Sequence, residues 1–265
     1  QLVFWARLNG KKVVYSIAND VDCVQELPAL KPLRERLLYK YGLMNCDRIV
    51  CQTENQKRLL RDEFGLDARV IRMPCEGFQK TTERAYTDVI HKKKRILWAG
   101  RFTPEKRLEY FLELAKLFPE MIFDVIGDYN FGRDTSYAKR MKEIAEPLEN
   151  VILHGRVPHE KMGEYFNRSY LLCSTSIYEG FPNIYLEAWS VGLPLVTTFD
   201  PDGVVEKYAM GRTATDIDSL QTALKELMVE TVWQETRAHA ESYYLNNHTV
   251  NASMREFEKE VSSFV

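Results

Sequence analysis

Glu179-Gly180-Phe181-Pro182-Asn183-Ile184-Tyr185-Leu186-Glu187, running on into Ala188-Trp-Ser-Val-Gly-Leu-Pro194, is the stretch that decides the fold. Upstream, Tyr170 to Ser176 reads as a buried strand, Tyr178 to Phe181 as a turn, and Pro182 as the first residue of a helix ending near Gly192. Proline suits that position because its missing N–H would be without an intrahelical partner anyway. A strand that feeds a helix through a glycine-containing turn aims free backbone N–H groups and the positive end of the helix dipole at one spot, which suits a phosphate. Glu179 lies in the turn, and Glu187 lies one helical turn beyond Asn183 on the same face. Two carboxylates flanking an anion site match a ligand with a sugar on each side of a pyrophosphate. A surface helix that carries two acids remains the plain alternative for this stretch alone.

A second stretch argues against that alternative. Arg95-Ile-Leu-Trp-Ala-Gly-Arg-Phe102 reads as a strand ending in Gly100-Arg101, and Thr103 and Pro104 read as the cap and first residue of a helix reaching Phe118. Arg101 and Lys106 thereby sit at the carboxyl end of a strand, where open α/β sheets bind their ligands. Taken separately, Lys106 reads as a solvated helix residue and Arg101 as a partner for Glu105.

The same alternation continues along the chain. Strands are predicted near 95–99, 121–126, 150–154, 170–174 and 194–198, and helices near 105–118, 136–148, 159–167, 182–191 and 217–229. Earlier, a helix tail stops at Asn9-Gly10, Lys12 to Ile17 reads as a strand, and Asn19-Asp20-Val21-Asp22 as a polar turn. Pro32–Tyr41, Cys46–Gln52, Thr53–Phe64 and Arg69–Met73 then read as helix, strand, helix and strand. The predicted organisation is a partial amino-terminal lobe over 1–78, a linker over 79–92, a complete lobe over 93–231, and a helical segment over 232–265 whose apolar residues are spaced for packing into a core. The first lobe reads as partial because its βαβα order lacks the first units of a doubly wound domain, and truncation is the expected cause.

Composition narrows the function classes. The 36 basic and 38 acidic residues leave a formal charge of −2, which gives no global attraction to nucleic acid. Five cysteines without tight spacing, and five scattered histidines, offer no disulfide framework and no metal-ligand pattern, so no metal and no cofactor is expected. Neither a dinucleotide fingerprint nor a P-loop occurs. A reducing, cytoplasmic setting is expected from the odd number of cysteines without tight spacing. The helix over Pro32–Tyr41 interleaves Lys31, Arg34, Arg36 and Lys40 with Leu33, Leu37, Leu38 and Tyr41. Its apolar face is expected to pack into the lobe, with peripheral membrane contact through the first lobe as the second use.

These motifs resemble the retaining glycosyltransferases of glycosyltransferase family 4. The resemblance rests on Gly100-Arg101…Glu105-Lys106, Ile126-Gly127-Asp128, Asn150…Gly155, Ser174…Glu179-Gly-Phe-Pro-Asn…Leu186-Glu187 and Asp202-Gly203…Glu206, in the family's order and spacing. It is dense over residues 93–230 and looser over 1–78. The resemblance implies an α/β, GT-B-like fold with two Rossmann-like lobes, the second binding nucleotide and the first partial, and with the segment 232–265 packing back toward the first lobe. It implies that Arg101, Lys106 and Glu179 serve catalysis, the two cations on the donor pyrophosphate and Glu179 on the sugar hydroxyls. It further assigns donor binding to Gly100, Arg156, Val157, Gly180, Phe181, Asn183, Ile184 and Glu187, with Glu187 on the ribose hydroxyls and Arg156-Val157 beside the base.

The partners implied are a UDP- or GDP-sugar and a carbohydrate or lipid-linked acceptor in bacterial-type polysaccharide or glycolipid synthesis. This chain departs from the pattern in three places. Pro182 stands where many relatives have a small residue, Arg107 where a glycine commonly follows the lysine, and Ala18-Asn19-Asp20 where a histidine often ends the first strand. Asn19, Asp20 and Asp22 are the candidate acceptor-side residues, with turn or cap roles as the alternative. Nucleotide binding without turnover is the expectation for a chain whose acceptor lobe is partial. A non-catalytic nucleotide-sugar-binding subunit, and a GT-B-fold epimerase or phosphorylase, are the alternative functions.

Overall fold

The structure, a computed structural model, describes residues 1–28, 30–80, 93–128 and 135–263. The chain forms two compact units, one of 1–74, 179–182 and 247–265, the other of 75–178 and 183–246. The units are therefore not continuous stretches of chain, unlike the lobes expected from the sequence. Most of the expected linker, 81–92, lies outside the described residues.

In the first unit, β1 (Val14–Ser16), β2 (Arg48–Cys51) and β3 (Arg69–Val70) form a parallel sheet in the order β1-β2-β3. Around it lie α1 (Leu2–Leu8), α2 (Leu33–Asn45) and α3 (Glu54–Phe64). The sequence dictates the ends of α3. Thr53 caps it, its hydroxyl accepting the Gln56 N–H at 3.1 Å, and Gly65 ends it with φ +67°. Ile17, Cys23, Leu43, Ile49, Cys51, Leu60 and Ala68 make the core. The apolar stripe expected to pack inward from α2 does not do so. Leu33 and Leu37 are 71% and 59% exposed, whereas Gly42 and Leu43 are buried and Tyr39 is partly buried. The inner stripe follows the helical spacing 39, 42, 43, 46, which leaves 33, 37, 41 and 44 on another face.

Among the described residues, the second unit is built on six parallel strands, β4 (Arg95–Ala99), β5 (Ile122–Ile126), β6 (Val151–Gly155), β7 (Leu171–Ser174), β8 (Leu195–Thr197) and β9 (Gly211–Thr213), in the order β6-β5-β4-β7-β8-β9. The connecting helices are α4 (Leu108–Leu117), α5 (Ser136–Ala145), α6 (His159–Arg168), α7 (Asn183–Ser190), α8 (Val204–Lys207) and α9 (Ile217–Leu227). The central strands read as near-continuous apolar runs because both faces of a parallel sheet are covered. Asp124 in β5 is the polar interruption, and its buried carboxylate accepts two hydrogen bonds from Arg95, at 2.7 and 2.6 Å. The sequence offered no sign of β9, whose three residues Gly211-Arg212-Thr213 carry no apolar run.

Beyond α9, α10 (Glu230–Asn247) runs almost wholly in the second unit, where Trp233 stacks on Tyr170 with ring centroids 4.6 Å apart and donates its indole N–H to the Tyr170 carbonyl at 2.7 Å. α11 (Val250–Ser262) belongs to the first unit, its Glu260 pairing with Arg48 at 3.3 Å and Arg69 at 3.6 Å. Between the two helices, His248 is fully buried in the first unit, with Nδ1 2.9 Å from the Met73 carbonyl and its ring 5.0 Å from that of Phe181. Burial depresses its pKa from the ordinary 6.5 to about 4, aided by nearby Arg72 and opposed by the Met73 hydrogen bond.

The unfolded chain therefore takes up the proton first as pH falls. This contribution to stability is intact above about 6.5 and is lost progressively between 6.5 and 4. The expected loss is up to about 3 kcal/mol. Chemical denaturation across that pH range should show the loss in the native chain and a shallower one in His248→Asn. Parallel pH curves for the two proteins would refute it.

Candidate functional site

The strand order defines where the second unit can take a ligand. From β4 the chain moves outward through β5 to β6, then returns to the other flank of β4 as β7, so a topological switch point lies between β4 and β7. In open α/β sheets the crevice at the carboxyl ends of such strands is the ligand site. Gly100, Arg101 and Lys106 follow β4, and Asn183, Ile184 and Glu187 follow β7.

Hydrogen bonds tie these two connections into one platform. The Thr175 hydroxyl donates to the Lys106 carbonyl at 2.6 Å and accepts the Trp98 indole N–H at 3.0 Å, while the Ile177 N–H donates to the Glu105 carbonyl at 2.9 Å. On the other side of β4, Gly127 N–H donates to the Gly155 carbonyl at 2.8 Å and Gly100 N–H to the Ile126 carbonyl at 3.0 Å. Gly127 has φ +133°, and any Cβ there would overlap the Gly100 carbonyl oxygen, so the close approach requires glycine.

The helix expected to open at Thr103 does not. Pro104–Lys106 form a separate single turn of 3-10 helix, Arg107 adopts φ +45°, and α4 begins at Leu108. Backbone in this left-handed region breaks the helix and is the conformation for which glycine is favoured. Arg107 is retained by its side chain. Its guanidinium donates to the Thr175 carbonyl at 2.8 Å and the Thr198 hydroxyl at 2.7 Å, joining the ends of β7 and β8. These bonds offset backbone strain of about 1–2 kcal/mol.

Arg101 is exposed and pairs with Glu105 at 3.8 Å, a solvated contact of small energetic weight. Arg156 and Val157 form the short connection from β6 to α6. Glu187 lies in the second turn of α7 with its side chain 17% exposed, and burial raises its pKa while His159 opposes that shift. His159 Nε2 is 3.0 Å from Glu187 Oε1. Sequence reasoning passed over His159 and Thr175, and it marked Arg107 only as a departure from the family's glycine. The pairs they form are 28 to 91 residues apart in the chain, and the one local hint was that His159 closely follows Arg156-Val157.

The remaining expected residues fall in the first unit. Gly180 forms an antiparallel bridge with Asn19, a Cβ at Gly180 would overlap the Ala18 carbonyl oxygen, and Phe181 N–H donates to Gln52 Oε1 at 3.1 Å. Half-buried Glu179 precedes this contact. Asn19 caps the short 3-10 helix Asp20–Cys23, its side chain accepting the Val21 N–H at 3.4 Å, where the sequence reading had a polar turn. Asp20 accepts from the Asn55 amide at 2.8 Å, and burial raises the pKa of Asp22. Among the described residues, no group of three or more histidine, cysteine and acidic side chains could hold a metal ion, and no helix is long and apolar enough to cross a membrane.

A parallel sheet of order β6-β5-β4-β7-β8-β9, with its switch point between β4 and β7 and helices joining its strands, defines a doubly wound α/β protein. The chain belongs to the family of glycosyl transferases, group 1, whose model matches residues 79–243. It is 25% identical over 168 residues to the amylovoran biosynthesis glycosyltransferase AmsD of Erwinia amylovora, covering 62% of this chain and 46% of that one. It is 24% identical over 196 residues to a UDP-Gal:alpha-D-GlcNAc-diphosphoundecaprenol alpha-1,3-galactosyltransferase of Escherichia coli, covering 62% and 46%. The chain thus spans less than half the length of these relatives.

Among solved structures, HepE of Anabaena in complex with UDP superposes with a TM-score of 0.82 at 16% identity, covering 99% of this chain and 75% of that one. Sucrose-phosphate synthase of Thermosynechococcus elongatus gives 0.81 at 16% identity, covering 100% and 72%. At such identities the likeness is one of fold. The fold is α/β with parallel sheets, as in GT-B glycosyltransferases.

Proposed function

We propose that this chain is the nucleotide-sugar-binding part of a retaining glycosyltransferase that moves a sugar from a nucleoside diphosphate donor to a hydroxyl acceptor in polysaccharide or glycolipid synthesis. The observation that carries the reading is the platform at the switch point, where the segments bearing Lys106 and α7 are bonded to each other through Thr175 and Arg107. Arg101 and Lys106 hold the pyrophosphate. Leaving-group charge grows on that diphosphate as the glycosidic bond breaks, so cations and the amides of Asn183 and Ile184 stabilise the transition state more than the ground state. Pro182 contributes no amide. Glu187 accepts from the ribose hydroxyls, Arg156-Val157 lie beside the base, and Glu179 contacts the sugar. The AmsD and galactosyltransferase relatives, and the UDP bound by HepE, support the substrate class.

The experiment is a double-mutant cycle with the ligand as one partner. The 2′-deoxy form of UDP or GDP should bind the native chain more weakly than the ribose form, whereas Glu187→Ala should bind both alike. One lost hydrogen bond to a charged acceptor corresponds to about 1.5–3 kcal/mol, or roughly ten- to 150-fold in affinity. Titration calorimetry reads both arms. Losses that simply add would remove Glu187 from the ribose site.

A further inference from the structure

His159 is the first residue of α6, immediately after the Arg156-Val157-Pro158 connection, and it has no part in the function just described. Its imidazole reaches across to α7, where Nε2 lies 3.0 Å from Glu187 Oε1. The ring is 70% exposed, so desolvated ion pairing is not its purpose. What distinguishes the contact is how firmly both partners are placed. Phe78 packs against the imidazole at a centroid distance of 5.2 Å and 40°, and it stacks on buried Phe166 at 5.4 Å and 28°. Gly163 makes room for that ring, since a Cβ there would come within 3.2 Å of Phe78. The Phe78 N–H donates to the Ser190 hydroxyl at 2.9 Å, and the same hydroxyl donates to the Glu187 carbonyl at 2.6 Å. Phe78 therefore braces the histidine from behind and is bonded, through Ser190, to the backbone of the glutamate that the histidine meets.

An ionised carboxylate can only accept hydrogen bonds, so the imidazole donates from Nε2. Oε1 then keeps one lone pair and Oε2 both, enough for two vicinal hydroxyls. Without the histidine, the Glu187 carboxylate loses the hydrogen bond that fixes Oε1, and binding a ribose would have to set its orientation.

We infer that His159 is a positioning residue that fixes the Glu187 carboxylate for the ribose of the donor and so strengthens discrimination against deoxyribose. The inference rests on the donor reading of Glu187. Ordering one long side chain costs roughly 0.5–1.5 kcal/mol on binding, so its pre-ordering corresponds to roughly two- to tenfold in affinity.

The test is titration calorimetry of UDP, GDP and their 2′-deoxy forms against the native chain, His159→Ala and His159→Gln, with unfolding midpoints confirming that all three are folded. His159→Ala should weaken the ribose nucleotide two- to tenfold and the deoxy form less, narrowing the preference. His159→Gln, whose amide can donate to the same carboxylate, should restore most of it. Equal losses for both nucleotides, no change, or tighter ribose binding in His159→Ala would overturn the inference, the last by showing that the imidazole competes with ribose. A glutamine variant no better than alanine would do so as well. A native chain without preference for ribose fails differently, since it removes the donor reading of Glu187 and the positioning role with it.

Discussion

Replacing both Arg101 and Lys106 by alanine is expected to lower nucleoside diphosphate affinity by two to four decades. A hydrogen bond between a cation and a phosphate contributes about 1.5–3 kcal/mol, and two of them correspond to about 3–6 kcal/mol if additive. Because both cations would engage one anion, the single losses need not sum to the double loss. Nucleoside without phosphate should bind the native chain and the double variant nearly alike. Arg101 gives up little on removal in the free chain, since its contact with Glu105 is long and solvated. Titration calorimetry with nucleoside and diphosphate separates the outcomes. Equal weakening of both would mean that neither cation meets the pyrophosphate.

The largest expected effect on folding is that of Gly127→Ala. Its φ of +133° is open to glycine alone, and the added Cβ would overlap the Gly100 carbonyl, so the ends of β4 and β5 would have to separate. A loss of about 3–5 kcal/mol is expected, in the range reserved for broken backbone geometry. Gly155→Ala is the control. That glycine has φ +65° but nothing within 4 Å of a Cβ, so only the left-handed strain of about 1–2 kcal/mol should appear. At roughly 2–4 °C per kcal/mol for a chain of this size, thermal unfolding distinguishes the two. Similar midpoints for both variants would show that the close approach of Gly127 to Gly100 contributes nothing.

The elements that carry the candidate site residues were legible in the sequence because their signals are local. Proline before Asn183, the glycine turn ahead of it and the apolar run of Leu171–Ser174 each act within a few positions, and α7 begins at Asn183 beside Pro182. Legibility failed where a conformation contradicts its residue type. Arg107 carries the left-handed backbone that a glycine would have announced, so the break between Lys106 and Leu108 was hidden inside an apparently continuous amphipathic helix. It failed again on α2, where two apolar stripes compete and only packing selects the one containing Gly42 and Leu43. β9 has too few residues to show a pattern at all.

The sequence by itself determined the alternation of strands and helices and the chemistry placed at strand ends, because side-chain periodicity, caps and turns depend on neighbours in the chain. Tertiary structure alone decided the strand order that makes β4 and β7 a switch point, the grouping of 179–182 and 247–265 with the first unit, and the meeting of His159 with Glu187. Such pairings join residues far apart in sequence. They depend on which buried faces fit together, and no local pattern of residues records that fit.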